Sequence, residues 1–253
     1  LRRLWQRRWC HSRPCHAADF PGVRMDDVLP LMERDGLDDD TPPKPDTPEG
    51  GNLLGQLLRA VFGYTSTPEW TTLVTWVVYP ERSSKAPVVL VVHEIFGLSS
   101  WIRSVADQLA ADGFIAIAPD LLTMKNLPDG PDSVVAPLAR AVIGTLDPAW
   151  VQRQLDAVAQ YGMSLPAAEK KYGIVGFCWG GGTSFAHAVH SPGLGASVVY
   201  YGTSPKTADL ESVRAPVLGL YGGNDARVDA TIPPADSALR ALGRTYVYSI
   251  YPG

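Results

Sequence analysis

A chain of 253 residues that is 45% hydrophobic can bury one sizeable core, and its formal charge of −4 lacks the cationic excess that nucleic-acid binding requires. Its longest apolar runs, such as Val88-Val89-Leu90-Val91-Val92, are strand-sized and too short to span a bilayer. Three cysteines are too few to staple a domain of this size, which points to a reducing, cytoplasmic setting.

Residues 1–69 read as a poorly structured or loosely packed N-terminal extension. Arg2, Arg3, Arg7, Arg8 and Arg13 come with no apolar core behind them, a poor signal peptide that fits a solvated tail better than a binding segment. Cys10, His11, Cys15 and His16 lie close together, but no second ligand pair at a suitable spacing completes a structural site, so no metal is expected. Residues 34–51 place Asp38-Asp39-Asp40 ahead of Pro42, Pro43, Pro45 and Pro48. Such a segment buries too little apolar surface to order itself and reads as an acidic linker or surface arm. Leu54, Leu57, Leu58 and Val61 share one face of a short predicted helix over residues 53–62, expected to pack on the domain. The chain has no initiating methionine and stops abruptly at Gly253, so truncation is expected at one or both ends.

The folded domain is expected over residues 70–253. Residues 71–79 are β-branched and aromatic up to Pro80 and predict an early strand. Residues 88–93 form a continuous apolar strand of the kind covered on both faces. A helix is predicted over 101–111, with Ile102, Val105, Ala106 and Leu109 inward, followed by a strand over 114–118. Four prolines leave 121–148 irregular, with a helical portion at 134–143. Residues 148–161 predict a helix with proline in its first turn. Strand 172–177 and helix 179–190 come next, then strands at 196–201 and 217–221, a weaker helix at 232–242 and a last strand at 245–251. Alternating strands and helices give an α/β fold, a mostly parallel central sheet flanked by helices.

The chemistry centres on Gly176-Phe177-Cys178-Trp179-Gly180-Gly181. An apolar strand runs into it and a helix runs out, which is how a nucleophile elbow lifts one side chain clear of a sheet. Here that side chain is a thiol. The N–H groups at the helix start favour its thiolate, and the Trp179 N–H can form one arm of an oxyanion hole. The other arm falls to the loop after strand 88–93, most simply the Ile95 N–H. The alternative, that Cys178 is one more buried small residue, is outweighed by this glycine setting. Asp225, after strand 217–221, fits the nucleophile–acid order, although Gly222-Gly223-Asn224-Asp225 is equally the composition of a turn. Glu94 either holds the thiol proton until substrate enters or meets a polar substrate group; the alternative is surface solvation or a structural hydrogen bond. Strand alternation argues against His93 and Glu94 facing one pocket. His187 and His190 lie late in the helix, and no histidine follows Asp225. The sequence thus proclaims a hydrolase and withholds its base.

At these residues the chain resembles the dienelactone hydrolase family, the cysteine-nucleophile branch of the α/β-hydrolases. The likeness rests on Val92-His93-Glu94-Ile95-Phe96-Gly97-Leu98, Ala118-Pro119-Asp120-Leu121, the elbow, Tyr200-Tyr201-Gly202, and Leu220-Tyr221-Gly222-Gly223-Asn224-Asp225-Ala226-Arg227-Val228, in that order. It implies Cys178 as nucleophile and Asp225 as triad acid. It further implies Glu94 as partner of the resting thiol, and Ile95 and Trp179 as oxyanion donors. It also implies a histidine just past Tyr251-Pro252-Gly253. Members that open dienelactones carry an arginine soon after the Pro-Asp-Leu segment, where this chain has Leu122-Thr123-Met124-Lys125. A lysine does not reproduce the bidentate grip of arginine on a carboxylate, so a small ester, lactone or related acyl substrate is expected. No cofactor is implied, and monomer and homodimer both stay open. The alternative function is a non-catalytic binding or regulatory protein on the same fold. A nucleotide-binding enzyme is disfavoured because Gly180-Gly181-Gly182 is followed by no Lys-Ser/Thr. A serine protease is disfavoured by cysteine at the elbow.

Overall fold

The computed structural model describes residues 73–252, all within the unit Glu69–Gly253. The expectations for the basic tail, the Cys/His run, the acidic linker and the helix at 53–62 lie outside the described residues.

The chain order is β1 (Thr75–Val78), β2 (Ala86–Val92), α1 (Ser100–Ala111), β3 (Ile115–Pro119), α2 (Asp132–Val142), α3 (Pro148–Ser164), β4 (Ala168–Phe177) and α4 (Trp179–His190). It continues with β5 (Ala196–Tyr200), β6 (Val217–Gly222), α5 (Ala226–Asp229), α6 (Ile232–Ala241) and β7 (Tyr246–Tyr251). The strands form one seven-stranded sheet in the order β1-β3-β2-β4-β5-β6-β7. β1 runs antiparallel to β3, and every other pair is parallel. This is the mostly parallel, helix-flanked sheet expected of an α/β-hydrolase fold.

Side-chain alternation divides the core between the two faces. Val88, Leu90 and Val92 of β2 join Val151 and Leu155 of α3, Phe185 of α4 and Leu239 of α6 in the larger cluster. Val91 joins Ile102 and Ala106 of α1 in the smaller one. Caps fix where the helices begin. Ser99 Oγ accepts the Ile102 N–H at 3.4 Å ahead of α1, and Asp147 Oδ1 accepts the Ala149 N–H at 3.1 Å ahead of α3, whose first residue is Pro148.

β4 begins four residues before the predicted start at 172, because Glu169, Lys170 and Lys171 interrupt its apolar pattern while the backbone still extends alongside β2. The irregular stretch at 121–148 contains a 3₁₀ turn at Thr123–Lys125, α2 and a second 3₁₀ turn at Ile143–Thr145. No single described helix is long and apolar enough to cross a membrane.

Candidate active site

Val92 pairs with Gly176, so the carboxyl ends of β2 and β4 are neighbours. β4 ends at Phe177 and α4 begins at Trp179, which leaves Cys178 as the turn between them. Its backbone lies at φ +56°, ψ −116°, a conformation that costs a residue with a side chain about 1–3 kcal/mol. The surroundings impose it. A Cβ on Gly176 would run into the Gly180 carbonyl, and one on Gly180 into the carbonyls of Val92 and His93. The Cys178 N–H donates to the Tyr200 carbonyl at 3.0 Å, and its own carbonyl accepts the Gly182 N–H at 3.2 Å. The backbone is therefore held on both sides, and the thiol is left free and partly exposed.

Glu94 and Ile95 leave β2 beside this turn. Glu94 is only 9% exposed, and its carboxylate accepts the Phe96 N–H at 2.5 Å and the Ser99 hydroxyl at 3.3 Å. Burial raises this carboxyl above the ordinary carboxylate range, outweighing those two bonds. Among the described residues no hydrogen bond joins Glu94 to Cys178. Ile95 is half-buried and packs with Leu122, Ala139 and Ile143. Trp179, the first residue of α4, stacks on the His93 ring at 5.6 Å between centroids.

The structure thus gathers Cys178, Trp179, Glu94 and Ile95 at one edge of two adjacent strands. Asp225 lies farther along that edge, after β6. Its Oδ1 accepts the Val228 N–H at 3.1 Å, capping α5, and its Oδ2 is 3.9 Å from Arg227. The turn that carries it also meets the end of β7, where the Gly223 N–H donates to the Tyr251 carbonyl at 2.8 Å.

The described histidines are all engaged. His93 is bonded at both ring nitrogens, to the Glu94 carbonyl and the Leu121 N–H. His187 meets Tyr172 and Gln152 deep in the fold, and His190 meets Asp156.

A cavity of about 380 Å³ opens beside Glu94, walled by Phe96, Ser99, Trp101, Asp132, Ala136 and Tyr201. Phe96, Trp101 and Tyr201 are 41, 48 and 40% exposed, an aromatic mouth turned to solvent instead of core. Asp132 links α2 to α1 by accepting both the N–H and the hydroxyl of Ser100, which hold its carboxyl below the ordinary range. Burial, and then the nearby Cys178 and Glu94, raise the Tyr201 phenol, which ties Tyr201 to the same site. No cationic side chain is among these walls. A larger groove of about 530 Å³ runs along the α1 face past Val105, Leu109 and Phe114, and none of the predicted site residues lines it.

Sequence reading did not single out Asp132, Trp101 or Tyr201 as site residues. Tyr201 stood in the Tyr200-Tyr201-Gly202 segment of the family likeness without an assigned role, and its left-handed φ of +40°, just past β5, is visible only in the backbone. Among the described residues no group of three or more His, Cys, Asp or Glu side chains is arranged to hold a metal ion.

Comparison with known proteins bears on this geometry. The sequence profile of the dienelactone hydrolase family matches residues 73–253. The chain is 34% identical over 203 residues to "Putative carboxymethylenebutenolidase" of Salmonella typhimurium, covering 75% of each. It is also 34% identical over 205 residues to the Escherichia coli K12 protein of that name, covering 76% of this chain and 75% of the other. Among solved structures it is similar to "Putative Dienelactone Hydrolase" from Klebsiella pneumoniae, with a TM-score of 0.64 and 32% identity over 73% of this chain and 81% of that one.

Proposed function

Because the chain belongs to the dienelactone hydrolase family and so acts on ester or lactone bonds, we propose that Cys178 is its nucleophile and a small, uncharged ester or lactone its substrate. The φ of +56° at Cys178, inside a glycine-walled turn, is the observation that carries this reading. Strain held at a single reactive side chain is a mark of function.

In this mechanism the thiolate of Cys178 attacks the carbonyl carbon. The former carbonyl oxygen takes up the charge and is met by the N–H groups of Ile95 and Trp179. Collapse expels the alkoxide, which leaves as the alcohol after protonation. Water then attacks the thioester, releasing the acid and restoring the thiol. The proton is carried by a histidine expected just beyond Gly253, oriented by Asp225. The contact between Gly223 and Tyr251 supports this assignment, because it sets the end of β7 beside the Asp225 turn. Glu94 partners the resting thiol. Its raised carboxyl protonates more readily than an ordinary one and so repels the thiolate less.

The pocket argues for the uncharged substrate. Glu94 and Asp132 line it, none of its walls is cationic, the Arg103 charge that helps to lower Asp132 is not among them, and the aromatic mouth offers apolar area. The test is direct. An activated ester is mixed with the full chain, the reaction is quenched within seconds and the peptides are mapped by mass. An acyl group on Cys178, absent from the folded C178A variant, is expected. Acylation elsewhere, or none, overturns the reading.

A further inference from the structure

His93 is fully buried, and neither of its ring nitrogens is left to act as a base. The Leu121 N–H donates to Nε2 at 3.3 Å, so that nitrogen carries no proton. Nδ1 therefore carries it and donates to the Glu94 carbonyl at 2.7 Å. Burial keeps the ring neutral, holding it below the ordinary imidazole range against the pull of the Glu94 carbonyl and Asp120. The Pro119-Asp120-Leu121 turn gains a purpose in this light. The Asp120 carboxylate takes the Leu122 N–H at 3.0 Å, which steadies the turn that presents the Leu121 N–H to the imidazole.

The Glu94 carbonyl and the Ile95 N–H belong to one peptide unit. In a trans peptide the two point in opposite directions, and the described residues contain no cis bond. A donor that grips the Glu94 oxygen therefore aims the Ile95 N–H the other way, and no acceptor among the described residues receives it. The imidazole also stacks on the Trp179 indole, with an interplanar angle of 20°. One buried side chain thus bonds the peptide unit that carries the Ile95 N–H and stacks on Trp179, the other donor the proposed mechanism uses.

We infer that His93 is a positioning residue of the oxyanion hole, holding the Glu94–Ile95 peptide in the orientation that presents the Ile95 N–H to the reacting carbonyl. The inference rests on the proposed attack by Cys178. It does not make His93 a catalytic residue, because the ring never meets the substrate.

The test separates oxyanion stabilisation from nucleophilicity. At about pH 9 hydroxide alone ionises much of an ordinary thiol. Full-length protein is treated there with p-nitrophenyl acetate, whose attack develops an oxyanion, and separately with iodoacetamide, whose displacement develops none. His93→Phe, which keeps the ring and loses the donor, is expected to slow acylation of Cys178 by about 10- to 100-fold with alkylation unchanged. His93→Asn, whose amide N–H falls near the Nδ1 position, is expected to restore acylation to within about threefold of wild type. A purely structural His93 would leave the ratio of the two rates unmoved, and that result overturns the inference. So does a His93→Asn protein as slow in acylation as His93→Phe. C178A acylated at the wild-type rate would instead bring down the nucleophile reading, which this design detects separately. If the variants fail to fold, imidazole nitrogen shifts of the labelled wild-type protein decide. The Nδ1–H tautomer, unchanged from about pH 5 to 9, is expected, and an Nε2–H tautomer overturns the inference.

Discussion

At one end of the β4–α4 unit Cys178 is held at φ +56°, and a Cβ on Gly180 would strike the carbonyls of Val92 and His93. At the other end His187 is fully buried, bonded to Tyr172 at 3.0 Å and to Gln152 at 2.8 Å, and relaxed loop backbone follows. One strand and one helix supply both ends. The difference lies in what each leaves open: the first ends in a free thiol held by strained backbone, the second closes every ring nitrogen. Strain and an open reactive group together set apart the end proposed to react, while a satisfied buried histidine marks the end that packs.

The largest effect on stability should come from an added methyl group. Gly180→Ala must displace the Val92–His93 backbone, and the expected cost is about 3 kcal/mol or more by urea titration. Gly193→Ala, just past α4, meets nothing within 4 Å and should stay within about 0.5 kcal/mol of wild type. Equal costs would erase the contrast between the two ends.

His187 supplies the next effect, at the packed end. Burial lowers its pKa to about 4 from an ordinary 6.5. The folded protein therefore keeps the ring neutral where the unfolded chain binds a proton, and folding is disfavoured as pH falls. The contribution of this ring is complete above about pH 6.5 and is lost on the way down through about pH 4, amounting to about 3 kcal/mol. Unfolding free energies from urea titration at pH 7 and 4 should draw apart by that much more in wild type than in His187→Gln. Equal pH dependence in the two proteins would show that the histidine is already free to titrate.

Much of this contrast was legible in the sequence. Helix 179–190 was read with the bounds it has in the fold, because Gly176, Gly180 and Gly181 mark the elbow and an apolar strand precedes it. Strands 88–93, 196–201 and 217–221 were found to within two residues at either end for the same reason, each an apolar run closed by turn residues. The short helix α5 was not read, since four residues give no period to detect. The pocket wall escaped for a different reason. Asp132 reaches the site only through its bonds to Ser100, 32 residues earlier, and no local pattern announces a contact of that range. The neighbourhood of Glu94 was expected, but not that its own loop would bind both of its oxygens.

A smaller effect, opposite in sign, tests the strain itself. Glycine adopts the Cys178 backbone without steric cost but enters folding with a more flexible unfolded chain. Cys178→Gly should therefore be more stable than wild type by about 1 kcal/mol while losing all acylation. A loss of stability would mean that the turn is relaxed with a side chain present, and the strained end would then resemble the packed one.

Asp225 should give the smallest change in stability, and it asks how far the working end extends along the sheet. Its structural work is to cap α5 through the Val228 N–H, and asparagine caps about as well as aspartate. The contact with Arg227 at 3.9 Å is solvent-exposed and contributes little. Asp225→Asn should therefore melt within about 0.5 kcal/mol of wild type. If Asp225 orients the base of the reaction, the same substitution should lower ester turnover by about 10²- to 10⁴-fold, because an amide neither fixes the imidazole tautomer nor stabilises its charged form. Acylation of Cys178 at about pH 9, where hydroxide replaces the base, should be nearly unaffected. Turnover at the wild-type rate would reduce Asp225 to a helix cap and confine the chemistry to the ends of β2 and β4. A turnover loss with unchanged stability and unchanged high-pH acylation would extend the working end across β5 to the end of β6.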